Sequence, residues 1–315
     1  LILPLFFISK KNRDHVRFNE VFIASLKCIA FILYPLSFIF FHYPPPLKVK
    51  ATRQTPMNNL SLTLVQSNLQ WQQADANREI LAELIAQSVE KTDLIILPEM
   101  FTSAFSMDNG AIAEDWPGAT VDWMQEIARA HDSALCGSIA VNDKGQRLNR
   151  LVFVTPDSSV QFYDKRHLFR MLGEDKRYSS GSERIIIQWR GWRILPLVCY
   201  DLRFPVWSRN TADLDYDLLL YVANWPAARN QHWQTLLQAR AIENMACVAG
   251  VNRIGRDGND IDYIGHSMAI DASGKILLDA GETTGTYSVT LDKTELEKYR
   301  SAFPAHLDAD DFEIK

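Results

Sequence analysis

Short apolar runs alternate with amphipathic segments along this chain, and that alternation restricts the fold more than any other feature. Residues 94–97, 192–198, 218–222 and 247–252 read as strands covered on both faces. Residues 62–68 and 134–141 read as further strands. Between them, 77–89 set Ile80, Leu81, Leu84 and Ile85 on one helical face, and 121–130 do the same with Val121, Met124, Ile127 and Ala128. The middle is strand-rich, with 151–154, 160–163, 185–189 and 192–198, the last two joined by a turn at Gly191. A helix over 231–244 follows, then strands 267–270, 276–278 and 286–290. The segment Asp271-Ala272-Ser273-Gly274-Lys275 is a hairpin turn, and a helix over 291–301 ends the domain. No internal linker interrupts this order, so the pattern predicts one layered α/β domain.

The composition suits such a core: 315 residues, 47% hydrophobic and 23% charged. A pI near 5.8 gives no support to nucleic-acid binding. The four cysteines, Cys28, Cys136, Cys199 and Cys247, are far apart, with no zinc-like spacing, and none of the seven histidines forms a metal-binding helix motif. No metal or other cofactor is expected.

The first 56 residues differ from the rest. They carry eight Lys/Arg against two Asp/Glu, a net +6, which leaves −11 for the remainder. Their apolar stretch, 28–41, holds 14 residues and includes Pro35, whereas a helix spanning a bilayer needs about 20. A signal or anchor segment and a folded addition are two readings. The third, an upstream extension, fits better: the chain starts at Leu1, and Met57 directly precedes the first strand of the domain. The expected division is an extension or targeting segment over 1–56, the main domain over 57–300 and a tail over 301–315. No stable membrane association is expected.

Three polar positions sit where strands end. Cys199 closes the run Ile194-Leu195-Pro196-Leu197-Val198, and Pro205 can open a helix beyond it. A thiol at such a corner is aimed outward like a nucleophile, although a lone cysteine is often a small buried hydrophobe. Glu99 follows Pro98, which ends the strand 94–97 for want of an N–H. It lies beyond a strand's carboxyl end, where open α/β sheets place ligands. Lys165 follows the strand 160–163. Taken singly, Glu99 and Lys165 also fit solvated loop residues.

Together the three carry a resemblance. Leu97-Pro98-Glu99, Tyr163-Asp164-Lys165 and Val198-Cys199-Tyr200-Asp201 are similar to the Glu, Lys and Cys motifs of the nitrilase (carbon–nitrogen hydrolase) superfamily, separated by 66 and then 34 residues. The resemblance extends through Gly173-Glu174-Asp175, Asn224-Trp225-Pro226, Ala239-Arg240-Ala241-Ile242-Glu243-Asn244 and Gly250-Val251-Asn252-Arg253, and covers about residues 60 to 295. Within the superfamily, Tyr221 to Pro226 with Val251-Asn252-Arg253-Ile254-Gly255 looks most like the omega-amidases, which hydrolyse the terminal amide of 2-oxoglutaramate or 2-oxosuccinamate.

The resemblance implies a four-layer α-β-β-α sandwich and a small-molecule amide substrate. It implies Cys199 as a nucleophile forming a thioester, Glu99 as general base and acid, and Lys165 with the Tyr200 backbone N–H as oxyanion stabilisers. Glu174 would position Lys165. Arg203, one turn beyond the nucleophile, could grip a substrate carboxylate or form a structural pair with Asp201 or another acid. Trp225 could wall the pocket or sit in the core. A Cys–His pair using His167 or His232 is a rival mechanism outside any recognised cysteine-protease context. Other soluble members (a nitrilase, a carbamoylase or a deaminated-glutathione amidase) are the nearer alternatives. A catalytically idle partner-binding module would be expected to lack one of the three residues. A homodimer or larger homo-oligomer in the cytoplasm is expected.

Overall fold

The structure, a computed structural model, describes residues 59–87, 91–310 and 312–314. The expectations for residues 1–56, for Cys28 and for Met57 lie outside these, as does the expected end of the first helix at Val89. Strands β1 (Leu60–Gln66), β2 (Leu94–Ile96), β3 (Glu114–Asp115), β4 (Ala134–Asp143), β5 (Gln146–Val154) and β6 (Val160–Asp164) build one sheet. A second sheet begins with β7 (Ile187–Trp189), β8 (Trp192–Val198), β9 (Leu218–Ala223) and β10 (Cys247–Asn252). A separate ribbon pairs β11 (Ile254–Arg256) with β12 (Asp262–Ile264). Strands β13 (Met268–Ile270) and β14 (Ile276–Asp279) return to the second sheet, and β15 (Gly285–Leu291) closes the first beside β1.

Both sheets follow one plan. Three parallel strands lie centrally, β1-β2-β4 in the first and β10-β9-β8 in the second, and antiparallel strands flank them. Parallel neighbours need crossover connections. The helices Ala74–Ala86, Ala119–His131 and Asn230–Asn244 supply three of them.

The two-residue side-chain period explains the layering. In the first sheet Leu62, Leu64, Leu94, Ile96 and Cys136 face inward, into a core shared with Ile194, Leu218, Leu220 and Val248 of the second sheet. Their alternates, Val65, Ile95, Leu97 and Leu135, face outward onto Leu81, Ile85, Val121, Met124 and Ala128 of the first two helices. Trp233, Leu237 and Ala241 of Asn230–Asn244 cover the second sheet. Each fully buried Leu or Ile contributes about 1.5–3 kcal/mol. The sheets meet where the Phe153 and Trp189 rings lie 6.4 Å apart, edge to face, and Trp189 Nε1 donates to Asp93 O at 2.8 Å. The chain adopts the expected α-β-β-α sandwich. Among the described residues no helix is long and apolar enough to cross a membrane.

Some boundaries differ from expectation. Strand β5 begins at Gln146 rather than 151, because its first half is polar yet pairs with β4 through Leu148↔Val141 and Asn149↔Ala140. The last helix starts at Lys293 rather than 291: the Asp292 carboxylate accepts from Thr294 N at 2.8 Å and Glu295 N at 3.1 Å, a cap that fixes the first turn. Leu291 is instead the final residue of β15. The helix runs to Ala302, one residue past the expected 301. The β11–β12 ribbon was not expected. Its three-residue strands carry no apolar alternation and are tied by the two-pronged Arg256–Asp262 pair, at 2.8 and 3.2 Å.

Candidate active site

The turn carrying Glu99 is clamped against β4. Pro98 ends the ladder after Leu97 N donates to Cys136 O at 2.7 Å, and beyond Glu99 the Met100 and Phe101 N–H groups bond the Ser138 hydroxyl and carbonyl at 2.9 and 3.0 Å. Gly137 lets the turn come so close: a Cβ there would lie 2.8 Å from both Leu97 Cβ and Phe101 Cδ1. Lys165 follows β6 directly, with its N–H on Asn149 O and its carbonyl accepting from Gly181 N, at 3.0 and 2.9 Å. Cys199 follows β8 directly and opens the 3₁₀ turn Cys199–Arg203 with φ of 44°, a left-handed conformation that strains a residue bearing a Cβ.

Asp201 holds that elbow. Its fully buried carboxylate accepts from Val198 N at 3.0 Å, Tyr163 OH at 2.8 Å, and the His167 N and Nδ1 at 2.9 and 2.8 Å. Trp207 Nε1 donates to the same Tyr163 hydroxyl at 2.9 Å. The strand-end positions of Lys165 and Cys199 are thereby tied together through Tyr163 and Asp201.

The side chains converge below the surface. Lys165 Nζ donates to Glu99 Oε1 at 2.9 Å and to both Glu174 oxygens at 3.0 Å, and the three residues are at most 1% exposed. Burial works against the Lys165 charge, but Glu174 and then Glu99 outweigh it and hold the ammonium above the ordinary lysine value. Glu174 is raised: burial pushes it up, Lys165 pulls it back, and Glu99 adds like-charge repulsion. The two directions are compatible because one cation serves two carboxylates. Burial and then Glu99 raise the Cys199 thiol well above its usual value, against the pull of Lys165. The resting thiol therefore keeps its proton at neutral pH, and the neighbouring carboxylate is the group placed to take it. Cys247, pushed up to about 12 by burial, and Cys136, raised by the same cause, are the other free thiols among the described residues, and neither lines this pocket.

Two polar residues complete the cluster. Asn149 Nδ2 donates to Glu99 Oε1 at 2.8 Å while its Oδ1 accepts from Ser138 Oγ at 2.8 Å. Asn224 donates its N–H to Glu99 Oε2 at 2.8 Å and its Nδ2 to Glu99 O at 2.6 Å, and its carbonyl faces Cys199 Sγ at 3.8 Å. Asn149 shares strand parity with the inward-facing Leu151 and Phe153, but it lies in the half of β5 ahead of the strand expected from 151. Above the cluster a pocket is walled by Phe105, Phe169, Tyr200, Trp225 and Tyr263, with Arg203 and Arg229 also lining it.

The structure brings every candidate residue to this pocket or to the cluster beneath it. Tyr200 packs its ring edge-on against Phe169, and its N–H belongs to the first turn of a 3₁₀ helix, where donors lack intrahelical partners. Trp225 is both wall and core: it lines the pocket, packs 5.6 Å from Trp233, and donates Nε1 to Arg229 O at 2.8 Å. Arg203 does not pair with Asp201, whose oxygens are taken by Tyr163, His167 and Val198. It donates to His232 Nδ1 at 3.0 Å and lies over the Trp225 ring. The rival histidines are likewise engaged away from the thiol. His167 is on Asp201 and stacked on Phe204, and His232 is on Arg203. Arg229 is a lining residue that sequence reasoning missed; it lies 30 positions beyond Cys199, with nothing local to link the two. Among the described residues no group of three or more His, Cys, Asp or Glu side chains is placed to hold a metal ion.

A thiol beside a carboxylate, with a buried ammonium for a developing oxyanion, is the equipment of a covalent amide hydrolase. The chain belongs to the carbon–nitrogen hydrolase family, whose model matches residues 61–301. It is 48% identical over 261 residues to omega-amidase YafV of Escherichia coli (strain K12), covering 82% of this chain and all of that one. It is 29% identical to a 2-oxoglutaramate amidase of Bacillus subtilis (strain 168), over 78% of this chain and 95% of that one. The crystal structure of XC1258 from Xanthomonas campestris, a CN-hydrolase superfamily protein with an arsenic adduct in its active site, superposes with a TM-score of 0.80 at 45% identity, over 82% of this chain and 100% of that one. The protein is thus an amide-hydrolysing enzyme with a small-molecule substrate.

Proposed function

We propose that the enzyme hydrolyses the terminal amide of short 2-oxo dicarboxylic acid monoamides, such as 2-oxoglutaramate and 2-oxosuccinamate, through a thioester on Cys199. Glu99 takes the thiol proton, delivers it to the leaving ammonia and then activates water. Lys165 and the Tyr200 N–H face the oxyanion. Glu174 fixes Lys165 by its two 3.0 Å contacts.

One observation carries the substrate class. Glu99, Lys165 and Glu174 are fully buried, whereas Arg203 and Arg229 line the same pocket half-buried and form no ion pair with a carboxylate among the described residues. An amide at one end and a carboxylate at the other fits this order. The names of the two relatives, an omega-amidase and a 2-oxoglutaramate amidase, support the same reading. Arg203→Ala is expected to raise KM for 2-oxoglutaramate by at least about tenfold, while a neutral amide such as hexanamide loses much less. Arg203→Lys should rescue only in part, because an ammonium cannot form the planar fork. Equal losses on both substrates would make Arg203 a structural residue. Ammonia release across omega-amides, nitriles and carbamoyl compounds tests the class itself.

The working unit in this proposal is the domain over 57–300, acting as a homodimer or larger homo-oligomer in the cytoplasm. The need for a reduced Cys199 supports the compartment. A protein beginning at Met57 is expected to match the full chain in kcat/KM and solubility. Aggregation or loss of activity would place residues 1–56 within the functional fold.

A further inference from the structure

The two guanidiniums of the pocket are not equivalent. Arg203 Nη2 is spent on His232 Nδ1 at 3.0 Å, and its guanidinium carbon lies 4.8 Å from the Trp225 ring centre. The Arg229 side chain has no hydrogen-bond or ion-pair partner among the described residues, and its guanidinium carbon lies 5.6 Å from the Phe169 ring centre. Its backbone is nonetheless fixed. Its residue ends the 3₁₀ turn Ala227–Arg229, and its carbonyl accepts from Trp225 Nε1 at 2.8 Å. A guanidinium carries five N–H donors in a planar fork. One held against apolar walls with those donors unspent matches an incoming planar anion.

The charge inside the pocket adds to this. At the base, one ammonium faces two carboxylates, so the catalytic cluster repels a second carboxylate from the reacting end. The compensating positive charge lies with Arg203 and Arg229. We propose that Arg229 is a specificity-determining residue that anchors the free carboxylate of the substrate, with Arg203 as a second, partly committed prong on the same group. This deepens the omega-amide reading and rests on it. A carboxylate has about four lone-pair sites, enough for two guanidiniums to share. The grip is on the ground state as well as on the transition state, so its loss falls on KM rather than kcat.

The experiment measures kcat and KM for 2-oxoglutaramate and hexanamide in wild type, Arg229→Gln, Arg229→Lys, Arg203→Gln and the double variant. The ratio of the two kcat/KM values cancels the fraction of folded enzyme. In Arg229→Gln this ratio should fall at least about 30-fold, through KM on the anionic substrate, equivalent to about 2 kcal/mol at 1.4 kcal/mol per decade. Arg229→Lys should recover part of it. The two Gln substitutions should be non-additive, because both prongs hold one group. A wild type that prefers 2-oxoglutaramate while Arg229→Gln keeps that ratio within about threefold would overturn the role of Arg229 alone. A wild type with no preference for the anionic amide would overturn the omega-amide reading, and the anchor with it.

Discussion

Cys199→Ala is expected to abolish amide hydrolysis, by at least about 10³-fold in kcat, while the fold survives. The survival follows from the surroundings. The sulfur makes one weak contact, 3.8 Å to Asn224 O, and the strained backbone at φ of 44° is no worse for alanine than for cysteine. The elbow itself is held by Asp201 through groups the substitution leaves in place. Removing one sulfur from a buried site costs about 1 kcal/mol, a small part of a domain's stability. The loss of activity follows because no other described thiol is available. Cys136 lies in the shared core between the sheets, and Cys247 lies outside the pocket. Steady-state ammonia release and a thermal melt check both halves. Activity above about a tenth of wild type would remove Cys199 from the mechanism.

Lys165→Ala should cost both chemistry and stability, and this combination separates it from the first variant. The lost oxyanion stabiliser alone costs at least about 10²-fold in kcat. The stability loss comes from stranding two fully buried carboxylates, Glu99 and Glu174, that now bond one ammonium. Breaking a buried ion pair by removing one partner typically costs about 3–5 kcal/mol. The pH dependence has a definite sign. Glu174 is already raised by burial, and Lys165 is what pulls it down. Without Lys165 the folded-state value rises further above the unfolded one. The variant's folded state therefore binds the extra proton, and its stability falls as pH rises from the unfolded-state value up to the raised folded-state one. The melting temperature of Lys165→Ala should fall as pH rises above the ordinary carboxylate range, with wild type changing less. In wild type the Lys165 contribution is fully present below the ordinary lysine value and is lost only above it. Glu99→Gln should lose at least about 10²-fold in kcat, since an amide cannot take up the thiol proton.

Much of this was legible because the motifs sit at strand ends. Pro98 marks the end of β2 and thereby the turn bearing Glu99, and the apolar run to Val198 aims Cys199 from the carboxyl end of the central strand β8. Short apolar runs named the strands, and the inward and outward sets of β1 and β2 then fall as the two-residue side-chain period requires. What stayed hidden depends on contacts between distant segments. Asn149 lies in a polar half-strand that pairing with β4, not local propensity, makes a strand. Arg229 reaches the pocket only because the turn after β9 folds back over Phe169. The partner of Arg203 is His232 on the next helix, not the nearby Asp201, whose oxygens are fully occupied within the elbow. Sequence proximity suggested the wrong partner where the hydrogen-bond accounting of a buried carboxylate excludes it.

The most direct test of the mechanism is intact-protein mass spectrometry of enzyme quenched in acid during turnover of 2-oxoglutaramate. A thioester on Cys199 predicts a species heavier than the free enzyme by the 2-oxoglutaryl acyl group. It should be absent from Cys199→Ala and mapped by digestion to the peptide containing Cys199. Hydroxylamine should remove it. Hydrolysis of 2-oxoglutaramate with no such adduct under rapid quench, or an adduct that persists in Cys199→Ala, would contradict covalent catalysis by this residue.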